Sequence, residues 1–187
     1  MKTLVIIPSR LSATRLPGKP LLKINGLSII SHVFKRAEKA NIGEVIVAAE
    51  DREIVEDVKM NGGNAILTSK KHKTGTDRIH EALKILDSNE VDLIMNIQGD
   101  EPEIDIEDIK KLYNNMKDNK KTRIGTLAAK ISDIKMYENQ NIVKVKTKES
   151  FEQNQFPLVD NFFRNIKKNE NIFHHIGIYC YEVETLK

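Results

Sequence analysis

Two apolar runs, TLVII at residues 3–7 and EVIVAA at residues 44–49, enclose a helix-length stretch, IISHVFKRAEKA at residues 29–40. The first run is rich in β-branched residues and is closed by Pro8, which favours a strand that ends there. In the middle stretch the apolar residues recur at helical spacing: Ile29, Ile30, Val33, Phe34 and Ala37. A strand, a helix and a second strand in this order predict a βαβ unit with parallel strands.

The same alternation continues beyond these elements. Further strands are predicted at residues 65–67 and 91–97, and further helices at 54–60, 77–86 and 106–116. Because short connections link these elements, we expect an α/β fold of Rossmann-like type. Its sheet should be mixed and mostly parallel, and it should be flanked by helices.

The pattern changes after Arg123. Three strands with little helix between them are predicted at residues 124–131, 142–147 and 173–181. They favour an antiparallel β insertion, at about residues 124–181, in a single domain that covers residues 1–187. Residues 183–187 resemble the first turn of a further helix.

The composition is that of a globular protein and excludes several function classes. The 30 basic and 27 acidic residues leave a formal net charge of +3, too small an excess for a nucleic-acid-binding surface. The single Cys180 excludes an intramolecular disulfide and any multi-cysteine metal site, and it fits a reducing compartment. The apolar run Leu4–Ile7 is too short for a signal peptide or a membrane span, so we expect a cytoplasmic protein without a membrane partner.

The segment after the first predicted strand, RLSATRLPGKP at residues 10–20, is rich in cations and hydroxyl groups. Ligands of open α/β sheets bind at the carboxyl ends of the strands, and backbone amides with Arg and Lys side chains suit a triphosphate. The spacing matches neither the P-loop nor the dinucleotide-binding glycine pattern. A solvated basic loop is the alternative interpretation.

Two further segments are expected near the same sheet edge. HKTGTDR at residues 72–78 precedes a predicted helix, where Thr76 or Asp77 could instead be a plain N-cap. NIQGDEP at residues 96–102 follows a predicted strand, and its carboxylates can hold Mg²⁺, although an ordinary turn is the alternative. A cationic loop, a hydroxyl-rich segment and an acidic turn at one edge together predict a nucleotide–metal site.

Four motifs resemble those of a known family: IIPSRLSATRLPGKPL at residues 6–21, HKTGTDRI at 72–79, NIQGDEP at 96–102 and HIGIYCY at 175–181. In this order they resemble the CMP-Kdo synthetases, or 3-deoxy-manno-octulosonate cytidylyltransferases, along the whole chain. The resemblance implies a nucleotidyltransferase domain that converts CTP and Kdo (3-deoxy-D-manno-octulosonate) to CMP-Kdo and pyrophosphate for lipopolysaccharide biosynthesis. It also implies Mg²⁺ as the cofactor.

The resemblance implies roles for individual residues as well. The triphosphate would be held by Arg10 and Lys19, with Arg15 nearby and a hydrogen bond from Ser12. The cytosine and ribose would be lined by Thr74, Gly75 and Arg78. Kdo would be contacted by Gln98, Arg164 and His175, and Mg²⁺ would be bound by Asp100. Arg10, Lys19 and Asp100 are the expected catalytic residues.

The sequence departs from the family pattern in two places. Phe162-Phe163-Arg164 stands where the family has Phe-Ser-Arg. The family chain also continues for roughly 55–65 residues, and this chain is expected to lack the second metal-binding aspartate and the sugar-contacting helix found there. A cytidylyltransferase for a related acidic sugar (amino-Kdo or a nonulosonate) and a truncated, non-catalytic CTP-binding homologue therefore stay open.

The resemblance further implies a homodimer built on the antiparallel insertion. The stretch NQNIVKVK at residues 139–146 matches a region at or near that contact. The expected partners are thus CTP, Kdo and a second copy of the chain.

Overall fold

The structure is a computed structural model that describes residues 1–12, 16–86, 90–167 and 170–186. It separates into two compact units, Met1–Gly125 with Ile178–Lys187, and Thr126–Gly177. The organisation as one nucleotidyltransferase domain with an insertion at about residues 124–181 stays a prediction.

In chain order the strands are β1 (Thr3–Ser9), β2 (Lys23–Ile24), β3 (Leu27–Ser28), β4 (Glu44–Ala49), β5 (Ala65–Leu67), β6 (Leu93–Asn96), β7 (Ile124–Ala129), β8 (Lys144–Thr147), β9 (Val159–Phe163) and β10 (Ile172–Glu182). The helices are α1 (Ile29–Lys39), α2 (Arg52–Met60), α3 (Gly75–Ile85), α4 (Ile106–Asp118) and α5 (Lys135–Glu138). Single 3₁₀ turns cover Lys19–Leu21 and Val183–Thr185. No helix among the described residues is long and apolar enough to cross a membrane.

The sheet of the first unit has the strand order β5-β4-β1-β6-β10. The strands β5, β4, β1 and β6 run parallel, and the end of β10 pairs antiparallel with β6. This mixed, mostly parallel sheet, which is flanked by helices, confirms the predicted α/β fold. Because β1 is central and its neighbours are parallel, the carboxyl ends of β1, β4 and β6 meet at one edge.

Opposite faces of β1 carry different helices. Leu4 and Ile6 share a buried cluster with Ile79 and Ala82 of α3. Side chains alternate along a strand, so Ile7 faces the other way, where α1 packs. Each fully buried aliphatic side chain of this kind stabilises the fold by about 1.5–3 kcal/mol.

Two predicted helices begin earlier than expected. The helix predicted at residues 54–60 begins at Arg52, and the one predicted at residues 77–86 begins at Gly75. The apolar periodicity marks only the buried face and does not extend into the polar first turns of α2 and α3. In α3 the first turn is held by the side chain of its N-cap, Thr74, a contact that periodicity does not reveal.

The second unit is antiparallel. Strand β8 pairs with β9 on one side and with the beginning of β10 on the other. Strand β9 was absent from the sequence prediction, because its residues are exposed or half-buried and carry no alternating apolar pattern. Where the sequence predicts the first turn of a helix after β10, the structure has the 3₁₀ turn Val183–Thr185.

Candidate active site

A cavity of about 290 Å³ lies at the sheet edge formed by the carboxyl ends of β1 and β6 and by the beginning of α3. Seven of the predicted site residues line this cavity: Arg10, Lys19, Thr74, Gly75, Arg78, Gln98 and Asp100. They come from all three segments that the sequence singled out. The structure therefore brings the basic loop, the hydroxyl-rich segment and the acidic turn together in the first unit.

The basic loop is closed at its base by a hydrogen bond from the Gly18 amide to the Leu11 carbonyl, at 3.0 Å. Gly18 adopts a φ of 72°, a left-handed conformation that favours glycine, and it immediately precedes the 3₁₀ turn that carries Lys19. Arg15 lies outside the described residues.

Lys19 and Asp100 form an ion pair across the cavity. The Lys19 Nζ lies 2.8 Å from the Asp100 Oδ2, and both side chains are partly exposed. The next residue, Glu101, is half-buried, and this burial, together with the neighbouring Asp100 carboxylate, raises the pKa of its carboxyl against the opposing effect of Lys19. Charged groups of the basic loop and of the acidic turn are thus in direct contact.

The acidic turn approaches β1 closely at Gly99. A Cβ at this position would lie 3.0 Å from the Pro8 carbonyl oxygen and 3.1 Å from the Ile30 side chain. Glycine therefore allows the turn to approach β1 and places Gln98 and Asp100 at the cavity.

The beginning of α3 forms another wall of the cavity. Thr74, not Thr76 or Asp77, is the N-cap, and its Oγ1 accepts a hydrogen bond from the Asp77 amide at 3.1 Å. Asp77 returns a hydrogen bond by accepting from the Thr74 amide, which completes a capping box. The hydrogen bonds to Thr74 lower the pKa of the Asp77 carboxyl. Thr74 and Gly75 thereby reach the cavity at the positive end of a helix, where anions are stabilised.

Arg78 and Ser12 both contact Glu50, a residue that the sequence analysis did not single out. Arg78 is buried, and its Nη2 donates to the Glu50 Oε2 at 2.6 Å. The Ser12 Oγ donates to the other carboxylate oxygen at 3.3 Å. One feature of the sequence could have indicated Glu50: it directly follows a predicted strand, which is β4 in the structure.

His72 lines the cavity, and the sequence analysis did not assign it a role. Its Nε2 lies 2.5 Å from the Glu81 Oε2, which also accepts from the Ser69 amide at 2.7 Å. Glu81 therefore fixes the imidazole against the first turns of α3.

Comparisons with known proteins agree with this geometry. A family model described as Cytidylyltransferase matches residues 4–187. A 3-deoxy-manno-octulosonate cytidylyltransferase of Thermodesulfovibrio yellowstonii is 42% identical over 203 residues, which cover 100% of this chain and 78% of the relative. The corresponding protein of Fusobacterium nucleatum is 44% identical over 188 residues, which cover 97% of this chain and 74% of the relative. The chain belongs to the 3-deoxy-manno-octulosonate cytidylyltransferase family.

A solved structure of this cytidylyltransferase family also matches. It is a CMP:2-keto-3-deoxy-manno-octonic acid synthetase complexed with CTP, and it superposes with a TM-score of 0.86 at 36% identity. The match covers 100% of this chain and 76% of that chain. The predicted family and its nucleotidyltransferase activity are thereby confirmed.

The other two residues predicted to contact the sugar acid lie in the second unit of this cytidylyltransferase. The Arg164 Nη1 donates to the Gln140 carbonyl at 3.0 Å, and the Arg164 carbonyl accepts from the buried Lys144 Nζ at 2.9 Å. The His175 Nε2 lies 3.0 Å from the Thr126 Oγ1. The pKa of the His175 imidazole is lowered mainly by burial and to a smaller extent by the neighbouring His174. Their contact with a sugar acid stays a prediction.

The donor set at the acidic turn fits Mg²⁺ that is shared with a nucleotide. No group of three or more His, Cys, Asp or Glu side chains that could hold a metal occurs in the part of the chain that the structure describes. Asp100 nevertheless offers a half-exposed carboxylate in a cavity that is also lined by Arg10 and Lys19. Mg²⁺ commonly binds through one or two carboxylates together with substrate phosphates.

Proposed function

We propose that this protein transfers a cytidylyl group from CTP to Kdo, giving CMP-Kdo and pyrophosphate in lipopolysaccharide biosynthesis. The observation that carries the proposal is the Lys19–Asp100 pair in a cavity that also contains Arg10 and the beginning of α3. Cations beside a carboxylate at a helix N-terminus suit a triphosphate with its metal. The family membership of the chain supports the choice of CTP and Kdo.

The reaction needs positioning and charge neutralisation more than covalent help from the protein. The anomeric hydroxyl of Kdo attacks the α-phosphorus of CTP, a new O–P bond forms, and the bond to the β-phosphate oxygen breaks. The hydroxyl proton leaves to solvent, and pyrophosphate departs with the electron pair of the broken bond. Arg10 and Lys19 bind the phosphates and orient the leaving group.

We assign roles to the remaining site residues as the resemblance to the family implies them. Thr74 and Gly75 lie against the nucleoside, with Arg78 behind them in the cavity wall. Gln98 of the acidic turn is a proposed Kdo contact, and the resemblance to the family supports the same role for Arg164 and His175. Asp100 holds Mg²⁺, which when bound neutralises charge on the phosphates.

The cellular setting completes the proposal. We place the protein in the cytoplasm, where CTP is available and where the free thiol of Cys180 stays reduced. We also propose a homodimer formed through the second unit.

Pyrophosphate release tests the function directly. The chain is incubated with CTP and Mg²⁺, with and without Kdo, and amino-Kdo and a nonulosonate serve as parallel substrates. We expect release that depends on Kdo and exceeds release with the other sugar acids. Release with another sugar acid alone would reassign the substrate, and CTP binding without any release would identify a non-catalytic homologue.

Asp100→Asn is the variant that tests the mechanism. It removes the charge that binds the metal but keeps the size of the side chain, and it leaves the phosphate-binding cations in place. We expect turnover to fall at least 100-fold, while CTP affinity measured by calorimetry changes little. Unchanged turnover would exclude Asp100 from the metal site.

A further inference from the structure

Glu50 joins two parts of the nucleotide cavity that are distant in sequence. Its carboxylate follows β4 and is buried, with only 8% of the residue exposed. One oxygen accepts from the Ser12 hydroxyl of the basic loop at 3.3 Å, and the other accepts from Arg78 of α3 at 2.6 Å. A single side chain therefore bridges the loop that precedes Lys19 and the helix that begins at Gly75.

The neighbouring Asp51 makes a parallel connection. Its Oδ2 accepts from the Leu11 amide at 2.8 Å, and its Oδ1 lies 3.3 Å from the Lys70 Nζ. Both carboxylates at the end of β4 thus hold the start of the basic loop on one side. On the other side Glu50 holds α3 through Arg78, and Asp51 holds the preceding segment through Lys70.

Both terminal nitrogens of the Arg78 guanidinium form hydrogen bonds in the wall of the cavity. Its Nη1 donates to the Thr68 Oγ1 at 2.6 Å and to the Ser69 carbonyl at 3.0 Å, and its Nη2 donates to Glu50. Turning this side chain toward a nucleotide would leave the buried carboxylate of Glu50 without its cation, which is strongly unfavourable. Arg78 is therefore better placed to hold Glu50 than to reach a ligand.

We propose that Glu50 is the positioning residue of the nucleotide site, and that Ser12 and Arg78 act through it without contacting CTP. Glu50 sets the distance between the basic loop, which binds the triphosphate, and the first turn of α3, which lies against the nucleoside. The proposal rests on CTP binding in the proposed function, but it does not depend on which sugar acid is the acceptor.

Glu50→Gln is the first test, because it removes the charge and keeps the shape. We expect calorimetry to show CTP affinity weakened on the order of tenfold. Where turnover is measured, the KM for CTP should rise while the KM for the sugar acid stays the same. A residue that served only the stability of the fold would not separate these two constants.

Ser12→Ala provides the decisive comparison. If Ser12 acts through Glu50, its variant weakens CTP binding a few-fold, roughly threefold, and the double variant binds no more weakly than Glu50→Gln alone. If the two effects multiply, Ser12 contacts the nucleotide by itself and the proposal is overturned.

Asp57→Asn is the matched control for stability. Asp57 on α2 is also a partly buried carboxylate that accepts from two hydroxyls, those of Ser28 and Ser31, and it does not line the cavity. We expect Asp57→Asn to lower the melting temperature without changing CTP affinity. An equal loss of CTP affinity in this control would reduce the role of Glu50 to general stability.

Glu50→Asp covers the case in which the Gln variant does not fold. It keeps a negative charge opposite Arg78 but shortens the side chain by one methylene group, which breaks the longer of the two contacts, the one at 3.3 Å to Ser12. We expect it to fold and to weaken CTP binding to the same extent as Ser12→Ala. Wild-type CTP affinity in this variant would overturn the proposal.

Measurements on the wild-type chain distinguish a failure of the Glu50 proposal from a failure of the proposed function. CTP binding without Kdo-dependent pyrophosphate release would contradict the proposed function, and the Glu50 comparison would still be decided by CTP affinity. A wild-type chain that binds no CTP would overturn both.

Discussion

Lys19 provides the positive charge that pairs with the Asp100 carboxylate in the candidate site. Its ammonium lies 2.8 Å from the Asp100 carboxylate, and both side chains line the cavity at the sheet edge. If Asp100 held Mg²⁺ as proposed, the Lys19 ammonium would be available to the phosphates of CTP. The ion pair holds both side chains at the cavity.

Lys19→Ala should weaken CTP binding, because it removes a charge-assisted contact to the phosphates. We expect a loss of roughly tenfold or more, equivalent to about 1.4 kcal/mol, in a calorimetric titration. Lys23→Ala is the matched control, because Lys23 is an exposed lysine of the following hairpin that does not line the cavity. An unaltered titration for Lys19→Ala would contradict the role of the loop.

Sequence reasoning could single out the loops that contain Arg10, Lys19 and Asp100, because the rule that places ligands at strand ends needs only chain order. The roles predicted for these three residues rest on the resemblance to the family. Sequence reasoning could not find the bridge through Glu50, because this contact joins residues 28 and 38 positions apart. Such a partner is set by the register of β4 beside β1, which the apolar pattern does not specify.

Among the elements, helix α3 shows how an end contact can shape a site. The sequence predicts the helix from the spacing of Ile79, Ala82 and Leu83, which are buried against the sheet. Its start depends on the capping box of Thr74 and Asp77, two residues that have polar side chains and no part in that spacing. Strand β9 shows the same limit, because an exposed edge strand carries no burial pattern to recognise.

Asp77→Asn should destabilise α3 in a pH-dependent way. The hydrogen bonds with Thr74 lower the pKa of Asp77 in the folded protein. Its stabilising effect is therefore present above its ordinary pKa of about 4 and is lost as the pH falls through the lower, folded-state pKa. We expect the variant to melt below the wild type at pH 7.

Thermal melts at pH 7 and at successively lower pH check this prediction. The difference in melting temperature between Asp77→Asn and the wild type should shrink as the carboxyl of Asp77 becomes protonated. A difference that stays constant with pH would show that the charge of Asp77 does not contribute to the cap.

At the scale of the whole molecule, the loss of alternating strands and helices after Arg123 correctly predicted that parallel pairing gives way to antiparallel pairing. The reason is that βαβ units leave a periodic helix between strands, whereas the described residues between β7 and β10 contain only the four-residue helix α5. The number of strands in this region and their register could not be predicted from the sequence, because both depend on the pairing of β8 with β9 and β10.

At the same scale, the chain is predicted to form a homodimer. Strand β9 stands at the end of the described strand order, and Leu158, Val159 and Phe162 on or beside it are exposed. An exposed strand edge with apolar side chains is a template for pairing with another chain. A two-fold axis lets the same edge serve both copies, so sedimentation should give a mass twice that of the chain.

Val159→Lys tests which surface forms the dimer. A lysine on an edge strand opposes pairing, so we expect this variant to sediment as a monomer at concentrations at which the wild type is dimeric. Met60→Lys is the control, because Met60 is a highly exposed apolar residue at the end of α2 in the first unit. If both variants stay dimeric, the contact does not involve β9. If only Val159→Lys dissociates, the second unit provides the interface, and the same unit then supports both assembly and the residues proposed to bind Kdo.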